Sequence, residues 1–166
     1  MTETPARTAE GDAATAVVLE TFRVNGLLLA AGGRLAAAEG LTAARWQVLG
    51  AIALAGRPLT VPQIARRMGL TRQAVQASVN RLLAEALAEA RGNLDHRRSP
   101  LIALTEAGRR AYAAIDRRQA GWINELSAGL TITDLTAAAG VLRELGDRLE
   151  APERPGPQGK DRHATA

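Results

Sequence analysis

The sequence predicts a mainly α-helical protein with a small β-wing, built as a winged helix-turn-helix flanked by N- and C-terminal dimerisation helices. Residues 57–83 contain two short helical patterns separated by a single glycine, which is typical of a helix-turn-helix. Residues 86–104 continue with a strand pattern, a basic loop and a second strand pattern, which indicates a wing. Long apolar helical patterns lie on both sides of this region and predict the flanking helices.

The first short helix begins with a capping box. We expect the Thr60 hydroxyl to accept a hydrogen bond from the backbone N–H of Gln63, while the Gln63 side chain reaches back to the backbone of Thr60. Ile64 and Met68 lie on one apolar face. Gly69 suits the left-handed conformation that commonly ends a helix, so we expect the chain to turn there.

The second short helix presents a polar face of the residue types that contact DNA. Thr71 is the expected cap, and an apolar stripe at helical spacing points to the core. The opposite face carries the predicted base-contacting residues Arg72, Gln73, Gln76 and Asn80. Such side chains reach phosphates and base edges, and amides can pair bidentately with adenine. The alternative is that they are solvated residues on an ordinary helical hairpin.

The wing is predicted from residues 86–91, the loop 92–99 and the apolar run 101–104, and Leu59 with Thr60 adds a third short strand beside it. Arg97 and Arg98 lie in the loop, where guanidinium groups can enter a minor groove. One of these arginines could instead pair with Asp95 and order the loop. Thr105 and Glu106 follow as the cap and first turn of the next helix.

Positive charge is concentrated in the region between residues 57 and 110. This region holds ten arginines and four acidic residues, a net charge of +6, whereas the whole chain carries +4. Such a concentration favours a polyanionic partner, namely double-stranded DNA. We assign Arg66 and Arg67 to phosphates rather than bases. Arg81 either contacts a phosphate or pairs with Glu85 on its own helix.

The flanking patterns predict a dimer. The helix expected from about Ala13 to Glu39 is apolar on more than one side. In the last helix the apolar residues recur at 3-4-3-4 spacing; they are Leu135, Ala138, Leu142, Leu145 and Leu149. The predicted organisation is a disordered segment 1–12, a dimerisation helix 13–40, the winged helix-turn-helix 41–105, dimerisation helices 106–150 and a disordered tail 151–166.

Several functional classes lack support in the sequence. The chain has no cysteine, which excludes disulfides and thiol redox chemistry. His96 and His163 have no partner at metal-ligand spacing, and no catalytic constellation is recognisable, so neither a metal, a cofactor nor an enzyme is expected. No early apolar run is judged long enough for a membrane-spanning helix, so a cytoplasmic protein without a membrane partner is expected.

The sequence resembles the multiple-antibiotic-resistance regulator (MarR) family. The resemblance is carried by Leu41-Thr42 before Trp46-Gln-Val-Leu49, by the helix-turn-helix, by Arg97-Arg98 and by residues 104–108, Leu-Thr-Glu-Ala-Gly. It departs at His96, where many members carry an acidic residue, and at Ala77, where many carry a basic one.

This resemblance implies an obligate homodimer that acts as a repressor at a palindromic operator and is released by a small, often aromatic or lipophilic, effector. The large aromatic residues available to an effector pocket are Phe22, Trp46, Tyr112 and Trp122, although core packing competes with that role. The alternative function is a winged-helix protein-interaction module without a specific operator, which the concentrated charge argues against.

Overall fold

The computed structural model describes residues 6–94, 96 and 98–151, and it has the predicted architecture of helices with a small antiparallel sheet. The predicted fold class is therefore confirmed. In chain order the elements are α1 (Ala9–Ala37), α2 (Ala43–Ala55), α3 (Val61–Met68), α4 (Arg72–Ala84), β1 (Ala88–Arg91), β2 (Leu101–Leu104), α5 (Glu106–Leu126) and α6 (Ile132–Glu150).

The hydrophobic core lies where α2, α3, α4 and the sheet meet. Its largest fully buried side chains come from α2, the α2–α3 connection, α3, α4, β2 and α5, and they are Leu49, Leu59, Ile64, Leu82, Ile102 and Ile115. Burial of apolar surface at about 25 cal/mol per Å² is the main stabilising contribution at such a junction. The short helices α3 and α4 are thus held by packing, since helices of this length are marginal by themselves.

The predicted helix ends of the helix-turn-helix are confirmed. The Thr60 hydroxyl accepts from the Gln63 N–H at 3.4 Å, and the Thr60 N–H donates to Gln63 Oε1 at 2.9 Å. Gly69 ends α3 with φ of 60°, a left-handed conformation that costs glycine little. Thr71 then accepts from the Ala74 N–H at 3.1 Å. The turn between α3 and α4 is therefore fixed by the left-handed conformation of Gly69 at one end and by the Thr71 cap at the other.

Strands β1 and β2 pair antiparallel, with Ala88 opposite Leu104 and Arg91 opposite Leu101. The third strand predicted at Leu59 and Thr60 is present as a single bridge from Leu59 to Ile102. The two residues exchange both backbone hydrogen bonds, at 2.7 and 3.0 Å. This bridge anchors the connection between α2 and α3 to the base of the wing.

The junction between β2 and α5 brings two backbones unusually close together. The Thr105 hydroxyl accepts from the Gly108 N–H at 3.1 Å and donates to the Ala86 carbonyl at 2.7 Å. A Cβ on Gly108 would lie 1.9 Å from the Leu87 carbonyl oxygen, so only glycine fits. Ala86 itself ends α4 with φ of 54°, in the left-handed region that alanine adopts at a cost of about 1–2 kcal/mol.

The first helix differs from the sequence prediction in its limits. It begins at Ala9, because the Thr8 hydroxyl caps it by accepting from the Gly11 N–H at 3.1 Å, and it ends at Ala37. Residues 9–12 are therefore helical, which corrects their assignment to a disordered N-terminal segment. Of the predicted disordered tail 151–166, residues 152–166 lie outside the described residues.

By length and composition alone, α1 is also apolar enough to cross a membrane, which corrects the expectation that no early run is long enough. Length and apolar composition do not distinguish such a helix from one that packs against protein. In this helix Glu20 and Arg23 pair with each other at 2.7 Å on an exposed surface.

The described chain divides into two compact units, the first ending at Ile123 and the second beginning at Asn124. In the first unit, α1 leaves large apolar side chains exposed; these are Val18, Leu19, Phe22, Val24, Leu27, Leu28 and Leu29. In the second unit, the end of α5 and α6 do the same; the residues are Leu126, Leu130, Ile132, Leu135, Val141, Leu142 and Leu149. Helices with this much exposed apolar surface commonly pack against a partner.

Candidate nucleic-acid interface

Helix α4 buries one face and exposes the polar one. Val75 and Val79 are fully buried in the core, whereas the predicted base-contacting residues are all exposed; these are Arg72, Gln73, Gln76 and Asn80. Gln76 and Asn80, one turn apart, are joined by a hydrogen bond of 2.8 Å from the Gln76 amide nitrogen to the Asn80 amide oxygen. The polar face therefore carries an amide that a neighbouring side chain already orients.

A groove of about 440 Å³ separates α4 from the wing. Arg72, Gln73 and Gln76 line it from α4, and Arg98 and Ser99 line it from the wing. Asn80 is not among the lining residues. The structure thus brings three of the four predicted base contacts and one predicted wing arginine to a single groove. Arg97, the other wing arginine, lies outside the described residues, as does Asp95.

The arginines between residues 57 and 110 fall into two groups by their pairing. Arg91 pairs with Glu89 at 2.5 Å, and Arg109 and Arg110 pair with Glu106 at 2.9 and 3.6 Å. Within the described residues, no hydrogen bond or ion pair engages the side chains of the other six; these are Arg57, Arg66, Arg67, Arg72, Arg81 and Arg98. All six are exposed.

The two groups occupy different places. The unpaired arginines belong to α3, to α4, to the wing loop and to the connection before α3, whereas the paired ones belong to β1 and α5. Each paired guanidinium group contacts the carboxylate of a neighbouring acidic residue, and one of these pairs shifts the pKa of the carboxyl group. The hydrogen bond from Arg109 and its charge lower the pKa of the Glu106 carboxyl. Among the described arginines between residues 57 and 110, those without an acidic partner therefore lie in the helix-turn-helix, the wing loop and the connection before α3.

The alternative partner of Arg81 is taken by another residue. Glu85 accepts from Arg45 of α2 through both carboxylate oxygens, at 2.5 and 2.6 Å, so Arg81 is not paired with it. The same guanidinium donates to the Gly40 carbonyl at 2.8 Å. Arg45 therefore joins the end of α4 to the turn before α2 and leaves Arg81 exposed.

A second basic cavity lies beside the wing. It has a volume of about 610 Å³ and is lined by Arg57 from the α2–α3 connection, Arg66 from α3 and His96 from the wing loop. Sequence reasoning included Arg57 only in the charge count and found no role for His96. Arg57 and His96 are far apart in the chain, so no local sequence pattern indicates that they line the same cavity. The basic charge of Arg57 beside a predicted third strand was the one indication that it belongs to the wing.

The four aromatic residues predicted for an effector pocket do not share one cavity among the described residues. Phe22 is 71% exposed on α1. Trp46 packs against Gly32, where a Cβ would lie 3.1 Å from the indole ring, and Trp122 is half-buried. Tyr112 is the member that lines a cavity, of about 430 Å³, together with Arg57, Ile52 and Leu104, among others.

The Tyr112 hydroxyl donates to Asp116 at 3.4 Å. Burial, and after it the Asp116 carboxylate, raise the pKa of the Tyr112 phenol. The one hydroxyl hydrogen is thus engaged by Asp116, and the phenol oxygen remains a hydrogen-bond acceptor at the edge of this cavity.

Comparisons with known proteins agree with this geometry. The model of the MarR family matches residues 39–99, which span the helix-turn-helix and the wing loop. An uncharacterized protein of Mycobacterium tuberculosis is 46% identical over 139 residues, which cover 84% of this chain and 95% of that protein.

Solved structures show the same fold over most of the chain. A MarR family transcription regulator with 26% identity matches with a TM-score of 0.69 over 84% of this chain and 92% of its own. CouR from Rhodococcus jostii RHA1, solved with p-coumaroyl-CoA, matches with a TM-score of 0.70 at 22% identity, over 85% and 96% of the two chains. With its winged helix-turn-helix and its unpaired arginines on that domain, the chain belongs to the MarR family of DNA-binding transcription regulators.

Proposed function

We propose that the protein is a homodimeric transcriptional repressor of the cytoplasm that binds a palindromic operator and is released from it by a small aromatic or lipophilic effector. The observation that carries DNA binding is the set of six exposed arginines without ion-pair partners on α3, α4, the wing and the connection before α3. Each such arginine can neutralise a phosphate without first breaking an internal ion pair.

In this proposal α4 enters the major groove and the wing enters the neighbouring minor groove. Arg72, Gln73, Gln76 and Asn80 then face base edges, since they lie on the exposed side of α4. Arg98, together with Arg97, contacts the minor groove. Arg66, Arg67 and Arg81 contact phosphates, because Arg66 and Arg67 follow each other at the end of α3 and Arg81 is on the last turn of α4.

The dimer is proposed from the exposed apolar faces. Residues 13–40 and 106–150 supply the dimerisation helices, and residues 41–105 form the DNA-binding domain. The apolar side chains left exposed on α1 and α6 support this, because α6 has no buried residue within its own unit. A second copy of the chain is the partner expected for such faces in a protein that reads a two-fold symmetric site.

Two observations support the proposed effector: the cavity at Tyr112 and the ligand bound in the structure of CouR. CouR was solved with p-coumaroyl-CoA, so a protein of this fold accommodates an aromatic acyl group. In this chain the cavity at Tyr112 combines a phenol with apolar side chains of Ile52 and Leu104. Phe22, Trp46 and Trp122 remain proposed pocket residues for the dimer, although Trp46 already packs against Gly32.

Salt titration tests the DNA-binding function. Each neutralised phosphate contributes about −0.9 to the slope of log affinity against log salt concentration, so a dimer with several free arginines per subunit should show a slope of roughly −5 or steeper. The measurement is fluorescence anisotropy of the full chain with labelled duplex DNA. Replacing Arg66 and Arg67 by alanine should weaken binding to all sequences alike.

Arg110→Ala is the matched control, because Arg110 pairs with Glu106 and lies outside the proposed surface. It should leave the slope close to that of the wild type. A flat salt plot for the wild-type protein would contradict DNA binding and favour a protein-interaction module instead.

A further inference from the structure

The basic cavity beside the wing has the composition of a phosphate site. Its lining contains two guanidinium groups, Arg57 and Arg66, and the imidazole of His96. The other polar lining side chains include Thr60 and Gln63, which are engaged in their own capping box. No acidic residue is among its described lining residues. A group that binds there must therefore carry negative charge and accept hydrogen bonds.

The two arginines of this cavity are not used by the protein itself. Neither Arg57 nor Arg66 has a side-chain hydrogen bond or ion pair in the part of the chain that the structure describes. Their positions are set by rigid elements: Arg66 is on the last turn of α3, and Arg57 precedes the backbone bridge between Leu59 and Ile102. The two charges are thus held at a common cavity without an internal counter-ion.

The cavity and the groove at α4 share two lining residues, Pro62 and Ser99. The groove takes its remaining lining from α4 and Arg98, whereas the cavity takes Arg57, Arg66 and His96. The two sites therefore adjoin each other through the start of α3 and the wing loop.

We propose that this cavity holds one phosphate of the operator backbone, bound by Arg57 and Arg66 together, with His96 as a further N–H donor. In this proposal Arg57 and His96 belong to the DNA interface, and Arg57 and Arg66 contact the same phosphate. This inference rests on the proposed DNA-binding function. Two guanidinium groups at one phosphate provide charge-assisted hydrogen bonds, which are stronger than those between neutral groups.

Shared use of one phosphate gives a distinctive salt dependence. Arg57→Gln, Arg66→Gln and the double variant are compared with the wild-type protein on the same operator. Loss of one phosphate per subunit should reduce the salt slope of the dimer by about 1.8. The double variant should lose little more than the single variants, because both side chains act on the same phosphate.

The matched control is Arg117→Gln, because Arg117 is another exposed arginine without an ion pair among the described residues but lies on α5, away from the cavity. It removes the same charge and should leave the slope unchanged. A change in slope as large as that of Arg66→Gln would show a general charge effect and overturn the site.

A neutral methylphosphonate placed at each backbone position in turn locates the contacted phosphate. In the wild-type protein, one position per half-site should lower affinity about tenfold, consistent with loss of charged hydrogen bonds. In Arg57→Gln and Arg66→Gln the same substitution should have little further effect. The site is overturned if no position loses its methylphosphonate effect in both variants.

Free tripolyphosphate distinguishes DNA from a small phosphorylated ligand. At matched ionic strength, the proposal expects added tripolyphosphate to shift the unfolding temperature of the free wild-type protein no more than that of the double variant. A rise confined to the wild type, together with unchanged DNA slopes in the variants, would assign the cavity to a free anion and overturn the backbone contact. A steep wild-type slope that no variant changes overturns this site but leaves the proposed function standing.

Discussion

At the scale of single residues, Gln76 is the side chain best prepared to read a base. Its amide nitrogen has two hydrogens, and one is donated to Asn80 at 2.8 Å. The second hydrogen and the amide oxygen remain free to pair with adenine, which requires one donor and one acceptor. We propose that Asn80 supports a base contact of Gln76 by fixing the orientation of its amide.

The variants Gln76→Ala and Arg98→Ala should affect different operator positions. Loss of Gln76 should cost about 1–3 kcal/mol on the operator and relax the preference at one position per half-site. Loss of Arg98 should reduce affinity most where the flanking DNA is A·T-rich, because a narrow minor groove attracts a guanidinium group. Selection from random DNA with the wild type and both variants measures this. Identical preferred sequences in all three proteins would place the reading surface elsewhere on α4.

Gly108 provides a test of the junction between β2 and α5. A methyl group at this position would meet the Leu87 carbonyl oxygen at 1.9 Å, so Gly108→Ala should destabilise the protein by about 1–3 kcal/mol or more through overpacking. Gly121 lies on the same helix with nothing within 4 Å of its Cβ position. Gly121→Ala should instead raise stability by about 0.5–1 kcal/mol. Urea unfolding compares the two, and equal effects would show that the close approach does not constrain the fold.

Local residue patterns were sufficient for the caps and not for the cavity. Thr60 and Gln63 lie three residues apart and bond to each other, so their role could be predicted from spacing alone. Arg57 and His96 are far apart in the chain and line one cavity through tertiary structure that includes the bridge between Leu59 and Ile102. For the same reason sequence spacing did not indicate that Glu85 pairs with Arg45, forty residues away, which leaves Arg81 with the other of its two predicted roles, a phosphate contact.

At the scale of elements, α6 is defined by an apolar face that nothing within its own unit covers. Leu142 is 47% exposed in the single chain, and we propose that a second subunit buries it. Leu142→Asp would then place a carboxylate in a dimer contact, where burial without a partner is unfavourable. Light scattering should show monomers, and operator binding should be lost with the dimer.

Thr133→Asp is the control for this variant. Thr133 is exposed on α6 and lies opposite Leu142 at about 100° per residue, so its replacement adds the same charge away from the proposed contact. It should remain dimeric and bind DNA. A Leu142→Asp protein that stays dimeric would contradict the assignment of this face to the dimer.

The limits of the helices could be predicted where a cap has a strong signature. Thr131 starts α6 as expected, with its hydroxyl accepting from the Asp134 N–H at 3.1 Å. Thr8 caps α1 in the same way, but Gly11 and the charged residues around it resemble a flexible segment in sequence. The helical conformation of residues 9–12 was not predicted, because the start of α1 was placed from the polar composition of the segment and not from the Thr8 cap.

At the scale of the whole molecule, the fold class could be predicted because it depends on repeated short-range signals. Capping residues, a glycine turn and two apolar runs recur in the order of a winged helix, and each is consistent with the others. The effector cavity depends on long-range packing instead. Tyr112 meets Ile52 and Leu104 from three separate elements, and no sequence spacing encodes that meeting.

The unpaired arginines also affect the protein when no DNA is bound. Six exposed positive side chains on one small domain repel one another, and the described acidic residues of the same region are paired with other arginines. Dissolved ions screen this repulsion, so added salt favours the folded free protein while it weakens the complex with DNA. The same charges thus reduce the conformational stability of the domain in the absence of its ligand, and DNA acts as the counter-ion that restores it.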